Sequence, residues 1–309
     1  MKENSTTVKL KPIALGVDIG GSHITTGIVD IEEKRLIPES IKRSFIDSKG
    51  EAEHILDGWS EIIQDSFQGY ESSEKYIGIA MPGPFDYENG ICLIEDQDKF
   101  KALFKINVKQ ELAARLNISA EHIRFINDAA GFLQGEVFAG AAKGNSSVMG
   151  LTLGTGLGSA FCIDYKATDA ALWDSKFLAG IAEDYLSTRW FTQRYAQLTD
   201  NNIAGVKELV ELLGKEHTAT RIFMEFGYNL AMFLIPIINQ YQIDTVIVGG
   251  NIAQAFKEFA PELIATLKGN KIKTSIKISE LKEHAALIGA AGCWDMAYQD
   301  GKDIKTKML

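Results

Sequence analysis

Along this chain, short runs of near-continuous apolar residues, the mark of buried strands, alternate with longer stretches in which apolar residues return every third or fourth position. Residues 13–30 read as two strands joined by a glycine turn, and a less regular stretch, 31–45, is expected to add a third strand. Between 51 and 67, Ile55, Trp59, Ile62, Ile63 and Phe67 fall at helical spacing, with acidic residues on the opposite face. Residues 76–81 form a buried strand that runs into Pro82-Gly83-Pro84. Asn107 suits the cap of a helix carrying Val108, Leu112 and Leu116, with Gln110 three residues on as in a capping box. A strand over 122–126 then leads through Asn127-Asp128 into a small-residue helix over 129–142.

The second half repeats this grammar. Apolar runs over 148–153 and 160–163 flank Gly154-Thr155-Gly156-Leu157-Gly158, the polar stretch 164–177 yields no assignment, and helices are expected over 182–198, 205–213 and 220–240, the last kinked near its end by Pro236. A strand over 244–248 ends in Gly249-Gly250-Asn251 and opens a helix carrying Ile252, Phe256, Phe259, Leu263 and Leu267. A strand over 273–279 and a small-residue helix over 283–298 close the chain.

The halves also align residue for residue. Without gaps, the fifteen residues from Gly16 to Asp30 run against those from Gly150 to Asp164: both start on glycine, turn on glycine and end apolar-apolar-Asp. The closing strand-and-helix pair echoes residues 122–140 in the same way. An α/β fold of two duplicated domains follows, with domain one over 1–126 rejoined by about 287–309, and domain two over 127–286.

Glycines at alternate positions let backbone amides approach an anion with no side chain in the way, so both turns are candidate phosphate cradles, although a plain glycine hairpin would look the same. The copies differ where chemistry would differ: Asp18 in the first aligns with Thr152 in the second, so one brings a carboxylate able to hold Mg²⁺. Pro82-Gly83-Pro84 stands at the carboxyl end of a strand, where open α/β sheets bind ligands, or is only a turn. Asn127-Asp128 lies between a strand and a helix. That is an N-cap position worth about 1 kcal/mol, and equally a place where a helix dipole keeps a catalytic carboxylate ionised. Glu183, in the first turn of its expected helix, is electrostatically favoured there without any functional reason.

Composition narrows the function classes. With 46% hydrophobic and 24% charged residues the chain can build two cores, which excludes a disordered protein. Its 32 basic against 41 acidic residues, net -9, oppose nonspecific binding to nucleic acid or an anionic membrane. Cys92, Cys162 and Cys293 are odd in number and show no CxxC spacing, so neither a disulfide framework nor a cysteine zinc site is indicated and a reducing cytoplasm is expected. Residues 1–11 lack the apolar core of a signal peptide, and the most apolar stretch, 230–238, is far shorter than the ~20 residues of a membrane span.

Taken together, the three glycine turns and the Asn127-Asp128 pair make the chain resemble the ROK family (repressors, open reading frames and sugar kinases) of the actin-like ATPase superfamily, over nearly its whole length. The resemblance implies two actin-like (ribonuclease H-like) domains with an interdomain cleft, ATP and Mg²⁺ as cofactors, and a small-molecule sugar as substrate. Asp18-Ile-Gly20-Gly21-Ser22 is similar to the family's first phosphate motif, Gly154, Thr155, Gly156 and Gly158 to the second, and Gly249-Gly250 to the adenosine motif. Asp18 would help hold Mg²⁺ through water. Asn127 and Asp128 match the sugar-binding Asn and the catalytic Asp, Pro82 and Gly83 a loop lining the sugar pocket, and Glu183 a sugar-contacting Glu. The family's three zinc-binding cysteine positions fall on Asp174, Lys176 and Ile181, and no His lies between His122 and His217, so the zinc site and the sugar-contacting His are expected to be missing.

The activity implied is transfer of the γ-phosphoryl group of ATP to a hydroxyl of a hexose or N-acetylhexosamine, with Asp128 as general base. Two other readings stay open. A sugar-responsive regulator is one, since the family includes repressors, but the short polar N-terminus and the acidic charge weigh against DNA binding. An actin-like ATPase or acyl-phosphate kinase is the other, with less use for Asn127, Asp128 and Glu183 together. A homodimer is left open.

Overall fold

The computed structural model describes residues 12–70 and 74–295, so the expected polar lead over 1–11 and the end of the last helix, 296–298, lie outside the described residues. The chain divides into two compact units, Met1–Asp128 with Leu287–Leu309, and Ala129–Ala286.

In the first unit, β1 (Ile13–Ile19) and β2 (His23–Asp30) form the expected hairpin, pairing antiparallel from Ile13 opposite Asp30 to Ile19 opposite Ile24. The third strand is two short pieces, β3 (Arg35–Leu36) and β4 (Lys42–Phe45), both paired with β2, because Pro38 starts a one-turn helix between them. Helix α1 (Ala52–Ser66) precedes β5 (Ile77–Met81), and the small ladder β6 (Phe85–Asp86) with β7 (Ile91–Cys92) precedes α2 (Val108–Leu116) and β8 (Ile123–Asn127). Asn107 caps α2 through its side-chain oxygen, which accepts from Gln110 N at 3.0 Å. The sheet runs β3-β2-β1-β5-β8, with β1, β5 and β8 parallel.

Pleating sorts this sheet's residues into two faces. Leu15, Val17, Ile19, Ile77, Ile79 and Met81 point to a core shared with Ile55, Trp59 and Ile63 of α1 and Leu112 and Leu116 of α2. Full burial of a side chain as large as Trp59 contributes on the order of 2–3 kcal/mol. Gly16 and Gly78, directly paired in the ladder, lie on the other face. A β-carbon at Gly16 would stand 2.2 Å from Leu287 O and one at Gly78 1.9 Å from Ala290 O, so only glycine lets the helix backbone after residue 286 come this close.

The second unit begins with α3 (Asp128–Ala139) and the hairpin β9 (Ser147–Leu153) and β10 (Leu157–Ile163), continued by β11 (Lys166–Asp169). The unassigned stretch 164–177 thus contains a third hairpin strand, followed by the small ladder β12 (Lys176–Phe177) and β13 (Gly180–Ile181). The helix expected over 182–198 is instead α4 (Ala182–Tyr185) and α5 (Thr188–Thr199), broken at Leu186 and Ser187. Helices α6 (Val206–Glu211) and α7 (His217–Tyr241) lead to β14 (Thr245–Gly249), a 3-10 segment over Asn251–Ala255, α8 (Phe256–Gly269), β15 (Ser275–Ile278) and α9 (Ala285–Gly292). The sheet order is β11-β10-β9-β14-β15, the same path by position as β3-β2-β1-β5-β8. Gly150, the counterpart of Gly16, likewise faces a helix at close range: a β-carbon there would lie 3.0 Å from Leu133 Cβ of α3.

The core of this unit packs Met149, Leu151, Leu153, Val246 and Val248 against α5, α7 and α8, with Phe191, Phe223, Phe226 and Phe259 stacked at centroid distances of 4.6–5.5 Å. By length and composition alone α7 could cross a membrane, but Ile222, Phe223, Phe226, Leu230 and Leu234 are fully buried here, as in the core helix of a globular domain.

One buried acid holds a corner of the second unit. Glu136 of α3 is fully buried, and its carboxyl oxygens accept from Ser279 Oγ (2.5 Å), Ala141 N (2.8 Å), Leu281 N (2.9 Å) and Glu280 N (3.3 Å), tying the end of α3 to the loop after β15. Glu136→Ala strands several buried donors at once, so unfolding in urea should show a loss of roughly 3 kcal/mol or more. A loss below about 1 kcal/mol would mean that water replaces the carboxyl group.

Candidate active site

Parallel pairing brings the first unit's candidate residues to one sheet end. Asp18 lies opposite Ala80, and Ala80 opposite Ile126, so the residues that leave these strands, Gly20 to Ser22 after β1, Pro82 and Gly83 after β5, and Asp128 after Met81-paired Asn127, emerge side by side. Asp18 feels the charge of Asp128. Burial pushes the Asp18 carboxyl up to about 6, the Asp128 charge adds to the rise, and Arg43 on β4 opposes it. Two neighbouring carboxyl groups of this kind form a centre that a divalent cation would neutralise.

Asn127 and Pro82-Gly83 are linked through Tyr87. Asn127 Nδ2 donates to Tyr87 Oη at 3.2 Å, and Tyr87 Oη donates to Met81 O at 3.0 Å. The peptide bond between Gly83 and Pro84 is cis, a β-carbon on Gly83 would come within 3.1 Å of Tyr87 Oη, and Gln97 Nε2 donates to Gly83 O at 3.0 Å. The first turn is open: Gly20, Gly21 and Ser22 are exposed, and a β-carbon on Gly20 would meet only His23 O, at 3.5 Å. Gly20 N donates to His23 O at 2.9 Å and Ser48 Oγ to Gly21 O at 2.6 Å, which fixes the turn from behind.

In the second unit two glycine turns meet. Gly154 N donates to Gly156 O at 3.1 Å, and Thr188 anchors the turn twice, its N–H and its hydroxyl donating to Gly154 O at 2.8 and 2.9 Å. The break between α4 and α5 is what lets Thr188 turn back to this carbonyl. Glu183 Oε2 accepts from Leu157 N at 3.1 Å, while Arg189 Nη2 lies 3.5 Å from Glu183 Oε1. Gly158 pairs with Thr152, which in turn pairs with Gly249. Gly250, at φ 84°, packs so closely that a β-carbon would stand 2.3 Å from Leu153 O, which sets the Gly249-Gly250 turn directly beside Gly154 to Gly156. Thr155 is exposed at the tip of that turn.

Tyr87, Gln97, Arg43, Thr188 and Arg189 are site neighbours that the sequence reading did not single out. Tyr87, Gln97, Arg43 and Thr188 reach their partners across the fold or from a segment without periodicity, whereas Arg189 meets Glu183 because the expected helix breaks between them. The aromatic residue soon after Pro82-Gly83-Pro84 was the one available signal.

The segment around Asp174, Lys176 and Ile181 is held by ring contacts and local hydrogen bonds. Phe177 stacks edge-on between Tyr185 and Phe233 at 5.6 and 5.7 Å, Ser175 Oγ donates to Leu172 O at 2.6 Å, and Ile181 N donates to Asp184 Oδ2 at 3.1 Å. Among the described residues no group of three or more His, Cys, Asp or Glu could hold a metal ion.

The sequence pattern of the ROK family matches residues 14–169 and 179–296, leaving out the segment around Asp174 and Lys176. A glucokinase of Thermotoga maritima is 34% identical over 150 residues, 48% of this chain and 44% of that protein, so that match spans under half of the relative's length. An N-acetyl-D-glucosamine kinase of Photobacterium profundum is 25% identical over 268 residues, 77% of this chain and 84% of that protein. The crystal structure of a ROK family glucokinase from Streptomyces griseus, in complex with glucose and AMPPNP, has the same two-domain actin-like fold, with a TM-score of 0.70 at 23% identity over 91% of this chain and 98% of that one.

Proposed function

The chain belongs to the ROK family, and from this premise we propose that it is an ATP-dependent sugar kinase, moving the γ-phosphoryl group to a hydroxyl of a hexose or N-acetylhexosamine. The observation that carries the proposal is the convergence of Asp18, Pro82-Gly83 and Asn127-Asp128 at the ends of three adjacent parallel strands, beside an open glycine turn. Relatives named glucokinase and N-acetyl-D-glucosamine kinase support the reaction class.

Phosphoryl transfer asks for positioning and charge neutralisation more than for covalent chemistry. In this reading Gly154, Thr155, Gly156 and Gly158 on one unit and Gly20, Gly21 and Ser22 on the other each offer amides and hydroxyls to phosphate, and Gly249-Gly250 lies toward the adenosine. Mg²⁺ would supply positive charge to offset that of the phosphates. Asp18, a half-buried carboxyl whose neighbour Asp128 opposes its ionisation, would fit as its holder, through water. Pro82, Gly83, Asn127 and Glu183 contact the sugar. Tyr87 receives the Asn127 amide N–H and so fixes which way that amide faces. Asp128 accepts the proton of the attacking hydroxyl.

The test is a screen of hexoses, N-acetylhexosamines and ketoses for ATP consumption together with sugar phosphate formation. Transfer to at least one sugar supports the reading. Sugar binding without transfer to any acceptor would instead favour a sensor.

The nucleotide assignment has its own test. A β-carbon on Gly156 would stand 2.6 Å from Glu183 Oε2, so Gly156→Val both blocks approach to the turn and pushes Glu183 off Leu157 N. ATP affinity should fall at least about tenfold, the scale of one lost charge-assisted hydrogen bond, and because Glu183 is displaced with the turn the sugar affinity should fall as well. Titration calorimetry showing unchanged ATP affinity in the folded variant would remove this turn from the nucleotide site.

A further inference from the structure

We propose that Lys99 is a phosphate-binding residue, its ammonium group contacting the transferred phosphoryl group at the first glycine turn. The proposal rests on the kinase reading above and adds to it a cation that no motif supplied.

The segment around Lys99 has no helix or strand of its own, yet it is tied to the site on both sides. Gln97 Nε2 donates to Gly83 O at 3.0 Å. Phe100 N donates to Ser48 O at 2.6 Å, and the same Ser48 donates through its hydroxyl to Gly21 O at 2.6 Å. Phe100 is fully buried, edge-on to Trp59 at 5.5 Å, and holds a left-handed backbone with φ 59°. A bulky residue adopts that conformation only when its surroundings impose it. The buried ring thus fixes the direction in which residue 99 leaves the backbone.

That direction is toward the phosphate turn. A β-carbon built on Gly21 would lie 3.7 Å from Lys99 Cδ, the nearest atom it would meet. The stem of Lys99 therefore passes over Gly21, and the side chain is half-buried. Among the described residues its ammonium group makes no hydrogen bond or ion pair, whereas Lys49 next to it stands 3.9 Å from Asp98. A half-buried lysine without a counter-ion, its stem over an exposed glycine turn, is suited to an anion that arrives from solution, and its ammonium group presents three donors on a compact charge. The anion at this turn is the phosphoryl group that moves, since Asp18 and Asp128 lie at the same end of the sheet as the turn.

The experiment compares ATP and ADP binding, with Mg²⁺, to the wild-type protein, Lys99→Met and Lys99→Arg by titration calorimetry, with thermal melts to confirm folding. Lys99→Met should weaken ATP by roughly 10- to 100-fold, the scale of one lost charge-assisted hydrogen bond. ADP should weaken by less than about threefold, and Lys99→Arg should restore most of the ATP affinity. If wild-type protein binds ATP and folded Lys99→Met keeps the same ATP-to-ADP ratio, the Lys99 assignment falls and the kinase reading stands. If wild-type protein binds no ATP at all, both fall.

Discussion

Asp128→Asn is expected to yield a folded protein that still binds ATP and sugar but transfers phosphate about 10²- to 10⁴-fold more slowly, the usual cost of losing a general base. Asp128 is the first residue of α3 and follows directly on the last residue of β8, so both its strand end and its helix start hold it in place. Asparagine keeps the size of the side chain and remains well suited to a helix start, so stability should change by well under about 1 kcal/mol. Steady-state turnover and urea unfolding measure the two arms. Unchanged turnover would put the base elsewhere, and a variant that mainly unfolds would make Asp128 a structural residue.

Asp18→Asn should separate function from stability with opposite signs. The native carboxyl is raised to about 6 by burial, then by Asp128, against the opposing pull of Arg43. Between the ordinary carboxylate range and that value the folded protein binds more protons at this site than the unfolded chain. The contribution of Asp18 to stability therefore falls as pH rises from about 4 through about 6, and it stays unfavourable above. Asn removes this penalty. In the absence of metal and nucleotide the variant should be more stable than wild type at pH 7.5 by up to about 2 kcal/mol, discounted for the solvent access that the side chain keeps, and should lose that advantage at pH 4. Phosphate transfer should drop by at least about a hundredfold, as when a charged group that stabilises the transition state is removed. Urea unfolding at the two pH values decides the first part: an Asn variant less stable than wild type at pH 7.5 would show that the Asp18 charge is compensated in the native protein.

The residues legible in the sequence are those that a strand delivers to its own end. Pro82-Gly83, Asn127-Asp128 and Gly249-Gly250 each terminate an apolar run, Asp18 stands one residue before the end of its own, and parallel pairing turns that shared property into proximity. The duplication was legible for a related reason: Gly16 and Gly150, aligned without gaps, both make room for a helix. The links between elements were hidden. Nothing local to Tyr87 signals that its hydroxyl receives Asn127, and nothing in Arg43 points to Asp18. Helical spacing ran straight through Leu186 and Ser187, because periodicity registers side-chain burial and not the backbone partner that Thr188 finds at Gly154. The stretch 164–177 resisted assignment because two of its elements, β11 and β12, are only four and two residues long.

The contact of Gly16 and Gly78 with Leu287 and Ala290 has a bearing on biosynthesis. The sheet of the first unit is covered on this face by residues translated only after the whole of the second unit, Ala129–Ala286. At ~5–20 residues per second the nascent sheet waits on the order of ten seconds to a minute with two glycines and their apolar neighbours facing water. During that interval the first unit has its strands but not the helix that covers them, so this face of its sheet is open to misassociation while the second unit is still being made.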